Sequence, residues 1–345
     1  MSRALRHYEN DTRFIAAHHQ PAVLIDFARS RDIDMHHLLR GTGLFYEDIL
    51  TGRMALSPQQ FLHLIANTEY CLKADDTSFL LGERLFPGHY GTVSHALMQA
   101  ANLGEALTML LRFQSLLCPL LAPRLLREKK YSGLYWVDAC GVGTQQAFLV
   151  EMQMTAVAAL CRWLSGERLP WAFHFSHAAP AWREQYLVHL GSDLHFDARM
   201  DAMLIDNNCL QRPWPRGSAT AARVLQTEGE RELAAQGYSS SLLLALYDYL
   251  LEHVQAAPSL EQTAQAFAMS PATLKRHLQK HDSSFQAQLD LVRKHVALYL
   301  LRLKGWDNEA VARHLQFHDA NNFRRSFKRW TGLTPQALRK PVLVG

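Results

Sequence analysis

SLEQTAQAFAMSPATLKRHLQK, from Ser259 to Lys280, decides the fold, and DNEAVARHLQFHDANNFRRSFKRW, from Asp307 to Trp330, repeats its logic. Ser259-Leu260-Glu261-Gln262 spells a capping box, in which the Ser hydroxyl and the Gln side chain satisfy exposed amides at a helix start. A short helix runs to about Phe267, and Ala268-Met269 turns the chain. Ser270-Pro271 then caps a second helix with proline at its first position, where the missing N–H costs nothing. Along this helix, which reaches about His281, Leu274 and Leu278 fall at i and i+4 and face the core. That turns Ala272, Lys275, Arg276 and Gln279 toward the opposite side.

In the second copy Asp307 caps a helix through His314, with Val311 and Leu315 apolar on one side. Gln316 to Asp319 forms the turn, Asp319 being placed as a helix cap, and Ala320 to Trp330 is the next helix. Phe323, Phe327 and Trp330 recur at i, i+4 and i+7 and fill the core. The exposed side then carries Ala320, Asn321, Arg324 and Arg325, with Lys328 and Arg329 beyond. Arg can grip guanine O6/N7 and Asn adenine N6/N7, each in a bidentate pair, while a small Ala can touch only a thymine methyl. One basic helix is ordinarily a solvated face. Two of them, each behind a capped helix and a turn, predict a double helix-turn-helix DNA-binding module.

Residues 241–341 resemble the DNA-binding domain of the AraC/XylS family of transcriptional regulators. The run FRRSFKRWTGLTP, Phe323 to Pro335, carries the closest resemblance, with Ala264, Ser270, Leu274, Arg276, Phe285, Arg293 and Ala297 in the first half. Ala312, Leu315, Phe317, Asp319 and Arg339 add to it in the second. Gln316 departs from the pattern, which usually has Gly there; glycine would adopt a positive φ without strain. The resemblance implies two recognition helices entering successive major-groove segments of double-stranded DNA, with a linker helix holding them about one helical turn apart. It implies base reading by Ala272, Lys275 and Arg276, and by Ala320, Asn321, Arg324 and Arg325. Gln279 and Lys328 complete the expected DNA-binding set. The family also implies activation through contact with RNA polymerase.

Upstream the pattern differs. Pro21 to Ser30, Met35 to Leu39, Ser57-Pro58 to about Leu72, Asp76 to Phe86, Thr92 to Ala101 and Gly104 to about Leu121 read as helices, with a loop over Pro87 to Gly91 and a polar, loose start over residues 1–20. Ser132 to Ala139 and Gln145 to Gln153, around a Gly-Val-Gly turn, read either as a hairpin or as a strand followed by a segment that passes into a helix ending near Gly166, and Trp171 to His177, Leu194 to Phe196 and Met203 to Ile205 read as short strands. The segment from about Ala22 to Pro215 resembles the arabinose-binding-like N-terminal domain of one AraC subfamily, through Gly41…Leu44, Leu56-Ser57, Tyr90-Gly91, Leu103-Gly104-Glu105-Ala106, Phe196-Asp197-Ala198 and Leu210…Pro213. That likeness implies effector sensing, dimerisation, or both. Pro213 to Ser218 stops regular structure, and a helix follows from Ala219 to Gln236, weakened at Gly229. The chain therefore reads as an α+β N-terminal sensor domain followed by an all-α double helix-turn-helix DNA-binding domain. Residues 1–215 form the sensing and dimerisation domain, 216–240 a linker with a helix, and 241–345 the DNA-binding domain.

Charge agrees with this division. The formal net charge is +4, but residues 238–345 hold 14 Lys+Arg against 8 Asp+Glu, which puts the basic excess where phosphate would be met. Five widely spaced Cys without a C-x-x-C read as free thiols in a reducing compartment. A charged N-terminus with no signal peptide and no apolar run of about 18 residues predict a soluble, cytoplasmic protein that meets no membrane. The 18 His are scattered or adjacent and do not have metal-ligand spacing, so neither a metal nor a cofactor is expected. No G-x-S-x-G, phosphate loop or H-E-x-x-H occurs, and Cys118-Pro119 lies in an apolar run, so no enzymatic role is expected. Tyr90, Phe113, Tyr135, Trp136, Trp171 and Phe173 are aromatic candidates for an effector pocket, and Arg112 and Arg124 are candidates for pairing an acidic effector. Two rival readings are a catalytic first domain tethered to DNA and a first domain that only assembles a homodimer.

Overall fold

The computed structural model describes residues 6–86 and 91–339 and divides into two compact units between Leu242 and Leu243. The first unit opens with β1 (Arg6–Tyr8), β2 (Ile15–Ala16), α1 (Gln20–Arg29), α2 (Met35–Leu39), α3 (Tyr46–Leu50), β3 (Ala55–Leu56), α4 (Pro58–Leu72) and α5 (Thr77–Leu85). It continues through α6 (Gly91–Leu97), α7 (Leu103–Arg112), α8 (Gln114–Leu117), β4 (Leu121–Arg127), β5 (Tyr131–Asp138) and α9 (Gln146–Ser165). It closes with β6 (Ala172–His174), α10 (Arg183–His189), β7 (Leu194–His195), β8 (Ala202–Asp206), α11 (Ala219–Gln236) and β9 (Tyr238–Ser241). Local chemistry sets many of these boundaries. At α4, for example, Ser57 Oγ accepts the Gln60 amide while the Gln60 side chain accepts that of Ser57, and Pro58 stands at the first turn.

The main sheet runs β4-β5-β8-β6-β7, antiparallel except for β6 with β7. Two sequence expectations fail here. Of the two readings of Gln145 to Gln153, the hairpin arm fails and the helix ending near Gly166 holds: the segment enters α9, and β5 pairs instead with β4 across the turn at 128–130. Gly104 to Leu121 is not one helix: α7 ends at Arg112, α8 adds one turn, and Leu121 starts β4. Pro123 fits inside β4 because β4 is an edge strand, where a missing N–H removes no ladder bond. Helix α9 is buried nearly all round and packs closely on α5 at Gly82, where a Cβ would collide with the Met152 carbonyl oxygen. By length and composition Gly143–Ser165 would suffice to cross a membrane, contrary to the expectation of no such run, but 72% of its most apolar window is buried inside the unit.

Residues 6–8, expected to be loose, form a strand that pairs in parallel with β9. Tyr8 is 1% exposed and its hydroxyl donates to the Pro119 carbonyl at 2.9 Å. Helix α11, read as part of a linker, packs on α6 within the first unit. Its Gly229 is the contact point, since a Cβ there would come within 2.9 Å of Val93 and 3.4 Å of Phe113. The Arg112–Glu230 ion pair ties the same helix to α7. Of the loop read at Pro87 to Gly91, residues 87–90, Tyr90 included, lie outside the described residues, and Gly91 begins α6.

Candidate nucleic-acid interface

Helix α12 (Leu242–Glu252) carries the chain into the second unit, followed by α13 (Leu260–Ala266), α14 (Pro271–Lys280), α15 (Phe285–Arg302), α16 (Asn308–His314), α17 (Ala320–Thr331) and α18 (Pro335–Arg339). In the first half Ser259 and Gln262 close the capping box at 3.2 and 2.8 Å. The chain leaves α13 through Ala268 in the left-handed region (φ 52°), and the Met269 amide returns to the Ala264 carbonyl at 2.8 Å. Ser270 Oγ accepts the Thr273 amide and Pro271 starts α14, as the sequence predicts. Leu274 and Leu278 are fully buried, and Ala272, Lys275, Arg276 and Gln279 are all exposed.

The second half follows the same plan. Asp307 caps α16, and Gln316, the departure noted in the sequence, takes the left-handed conformation (φ 57°) that Ala268 takes in the first half. The Phe317 amide returns to the Ala312 carbonyl at 2.9 Å. Asp319 is the helix cap: its Oδ1 accepts the Asn322 amide at 2.7 Å, which first of all holds its carboxyl below the usual range, with His318 adding to the effect. Phe323 and Phe327 are fully buried, while Trp330, expected in the core, is only half-buried and lies 5.9 Å from Phe317. Asn321, Arg324, Arg325 and Lys328 are exposed and Ala320 is half-buried.

Superposing the two caps pairs Ala272 with Asn321, Lys275 with Arg324, Arg276 with Arg325 and Gln279 with Lys328. One solvent-facing stripe is thus built twice. In the second stripe Arg324 Nη2 donates to Asn321 Oδ1 at 2.7 Å, and Arg324 Nε reaches the Ala320 carbonyl at 3.3 Å. Sequence reading did not anticipate this pairing, although an i, i+3 spacing on a helix permits it.

Between the halves runs α15, whose 18 residues rise about 27 Å. On α15 Asp290 pairs with Arg329 at 3.0 Å, and the Arg293 guanidinium lies 5.1 Å from the Phe317 ring, where burial lowers its pKa. Arg329, read as part of the exposed stripe, is therefore engaged with the linker helix. Tyr247 of α12 hydrogen-bonds His295 of α15 at 2.8 Å, and burial drops the His295 pKa to about 3, so the imidazole is neutral.

The expected effector aromatics lie elsewhere. Phe113, Trp136, Trp171 and Phe173 are buried in the first unit's core, and Tyr135 is half-buried in β5. Arg112 is committed to Glu230, and Arg124 donates to Gln114 Oε1 at 2.7 Å. Cys118 is buried and its thiol pushed up to about 12, so it is not a poised nucleophile.

The family model for the arabinose-binding domain of AraC transcription regulators matches residues 33–214, and a helix-turn-helix domain model matches 263–341. The chain is 28% identical to the ornithine utilization regulator of Pseudomonas aeruginosa over 262 residues, covering 76% of this chain and 77% of that one. It is 36% identical over 78 residues, 23% of each chain, to an uncharacterized HTH-type transcriptional regulator of Mycobacterium tuberculosis. The crystal structure of the transcriptional regulator CdpR from Pseudomonas aeruginosa aligns over 93% of this chain and 98% of its own, at 18% identity and a TM-score of 0.43. A first unit matched by the arabinose-binding domain model, followed by two capped helix-turn-helix units, makes this chain a member of the AraC family of transcription regulators.

Proposed function

We propose that the chain activates transcription from a specific promoter in the cytoplasm. The sensing part within residues 1–215 binds a small molecule, pairs two copies, or does both; residues 216–240 relay its state, and 241–345 grip DNA and contact RNA polymerase. It carries out no chemistry of its own, a reading supported by its likeness to transcriptional regulators. Base reading falls to Ala272, Lys275, Arg276, Ala320, Asn321, Arg324 and Arg325, with Gln279 and Lys328 beside them. What supports this assignment most is the duplicated exposed stripe on α14 and α17. Effector binding acts by favouring one of two states, which requires different affinity for each. A relative named for ornithine utilization supports a small-metabolite effector.

Footprinting of the purified protein on the intergenic DNA beside its own gene tests the reading. On the protected sequence Arg276→Ala or Arg324→Ala should cost about 1–3 kcal/mol and relax discrimination at one position, while Lys328→Ala should weaken binding to all sequences alike. Equal loss on every sequence for all three variants would remove the division of roles.

A further inference from the structure

We propose that a pocket framed by β2, the start of α1, α8 and the C-terminal end of α11 binds a small zwitterion of the α-amino-acid type. The proposal rests on the effector-sensing reading above and gives that reading a place and a ligand class. The pocket has a volume of about 340 Å³, within the range of small-molecule sites. Ser115, 2% exposed, lines it, and its Oγ has no hydrogen-bond partner among the described residues. Gln236 Oε1, at the last residue of α11, is buried in the same lining and likewise has none among them. Buried polar groups are nearly always paired, so two orphans in one pocket call for a ligand that supplies both partners. Gln20 cannot serve, because its amide is spent on the Leu116 and Leu117 carbonyls at 2.9 and 3.2 Å, holding α8 against α1.

The lining chemistry selects the ligand. Arg13 and Glu232 bring opposite charges to the pocket without an ion pair between them. Gln236 Oε1 only accepts, so with the Glu232 carboxylate it favours a cationic N–H donor; Ser115 can donate, so with Arg13 it favours a carboxylate. Phe14 and Tyr238, ring centres 6.0 Å apart, provide aromatic surface for the rest of the molecule. A neutral sugar would pair with neither charge, and an aliphatic ligand would leave both orphans. Tyr238 and Gln236 belong to the segment that continues through β9 directly into α12. A ligand bridging them to β2 and α1 would brace the point where the chain leaves the sensing unit.

The test uses the full chain and, as probes, the twenty proteinogenic L-amino acids and L-ornithine, first by thermal shift and then by calorimetry on the strongest binder. At least one should bind, its deaminated and amidated analogues should bind more weakly, and Glu232→Gln and Arg13→Gln should each lower affinity about tenfold or more. Ser115→Val should abolish binding, with Ser115→Ala as the milder variant should Val unfold the protein. No shift from any probe, equal binding by the analogues, or undiminished binding by the variants would overturn the assignment. Fluorescence anisotropy on the footprinted duplex separates the two readings: intact DNA binding without amino-acid binding defeats the pocket alone, whereas lost DNA binding defeats the regulator reading itself.

Discussion

The two helix-turn-helix halves share a backbone plan and differ in what they show the solvent and in how they are fastened. The first presents Ala272, Lys275, Arg276 and Gln279; the second Asn321, Arg324, Arg325 and Lys328. Only the second offers an amide and two guanidiniums, and two of these are already joined through Arg324 and Asn321. Toward the first half, α12 sets Tyr249 edge-on to Phe267 and binds α15 through the buried Tyr247–His295 pair. The second half is held to α15 by a half-exposed ion pair and by an arginine over Phe317. The two halves thus share one geometry and differ in the side chains that line their exposed stripes.

Acid should break this symmetry most strongly. Because the folded pKa of His295 is depressed from 6.5 to about 3, the unfolded chain takes up its proton first. The neutral state's stabilisation is complete above pH 6.5 and is lost as pH falls toward 3, at about 1.4 kcal/mol per pH unit. Hydrogen exchange, corrected for intrinsic rates, should show α12 and α15 amides losing protection below pH 6.5, and His295→Asn should flatten that dependence. An unchanged slope in the variant would place the acid sensitivity elsewhere.

A double-mutant cycle sharpens the contrast. Asn321→Ala and Arg324→Ala, measured separately and together by anisotropy on the footprinted duplex, should couple by about 0.5–3 kcal/mol, since each side chain holds the other. Lys275→Ala and Gln279→Ala in the first half should add to within about 0.5 kcal/mol. Additivity in both halves would mean that the Asn321–Arg324 bond has no part in recognition.

The smallest effect concerns the matched turns. Ala268 and Gln316 both hold positive φ, which burdens an L-residue but not glycine. Ala268→Gly and Gln316→Gly should each stabilise the second unit by about 0.5–1 kcal/mol in urea denaturation, after the entropy glycine gives up is subtracted. Destabilisation by either would show that the side chain has packing worth more than the strain.

Sequence was most legible where polar side chains act on their own neighbours. Ser259, Ser270, Asp307 and Asp319 each cap the helix expected of them, and the leucines and phenylalanines at i and i+4 fixed which face is exposed. Legibility failed where structure depends on distant partners. Helix α9 is buried on nearly every side, so it lacks the amphipathic period that would separate it from a strand. Strand β4 went unread, since the edge position that lets it hold Pro123 is a property of the sheet and not of the local sequence. The orphaned Ser115 and Gln236 are more than a hundred residues apart, and no spacing rule joins them. The Asn321–Arg324 pairing was within reach of local rules; the Arg329–Asp290 pairing, across two helices, was not.

The pairing of β1 with β9 also sets a timetable for the growing chain. Arg6 meets Tyr238, so β1 waits for a partner made about 230 residues later, roughly 10–50 s at ordinary rates of synthesis. The seam beside the proposed pocket is therefore closed after the rest of the first unit has been made. On the β1 side that closure rests on three residues, anchored by the buried Tyr8.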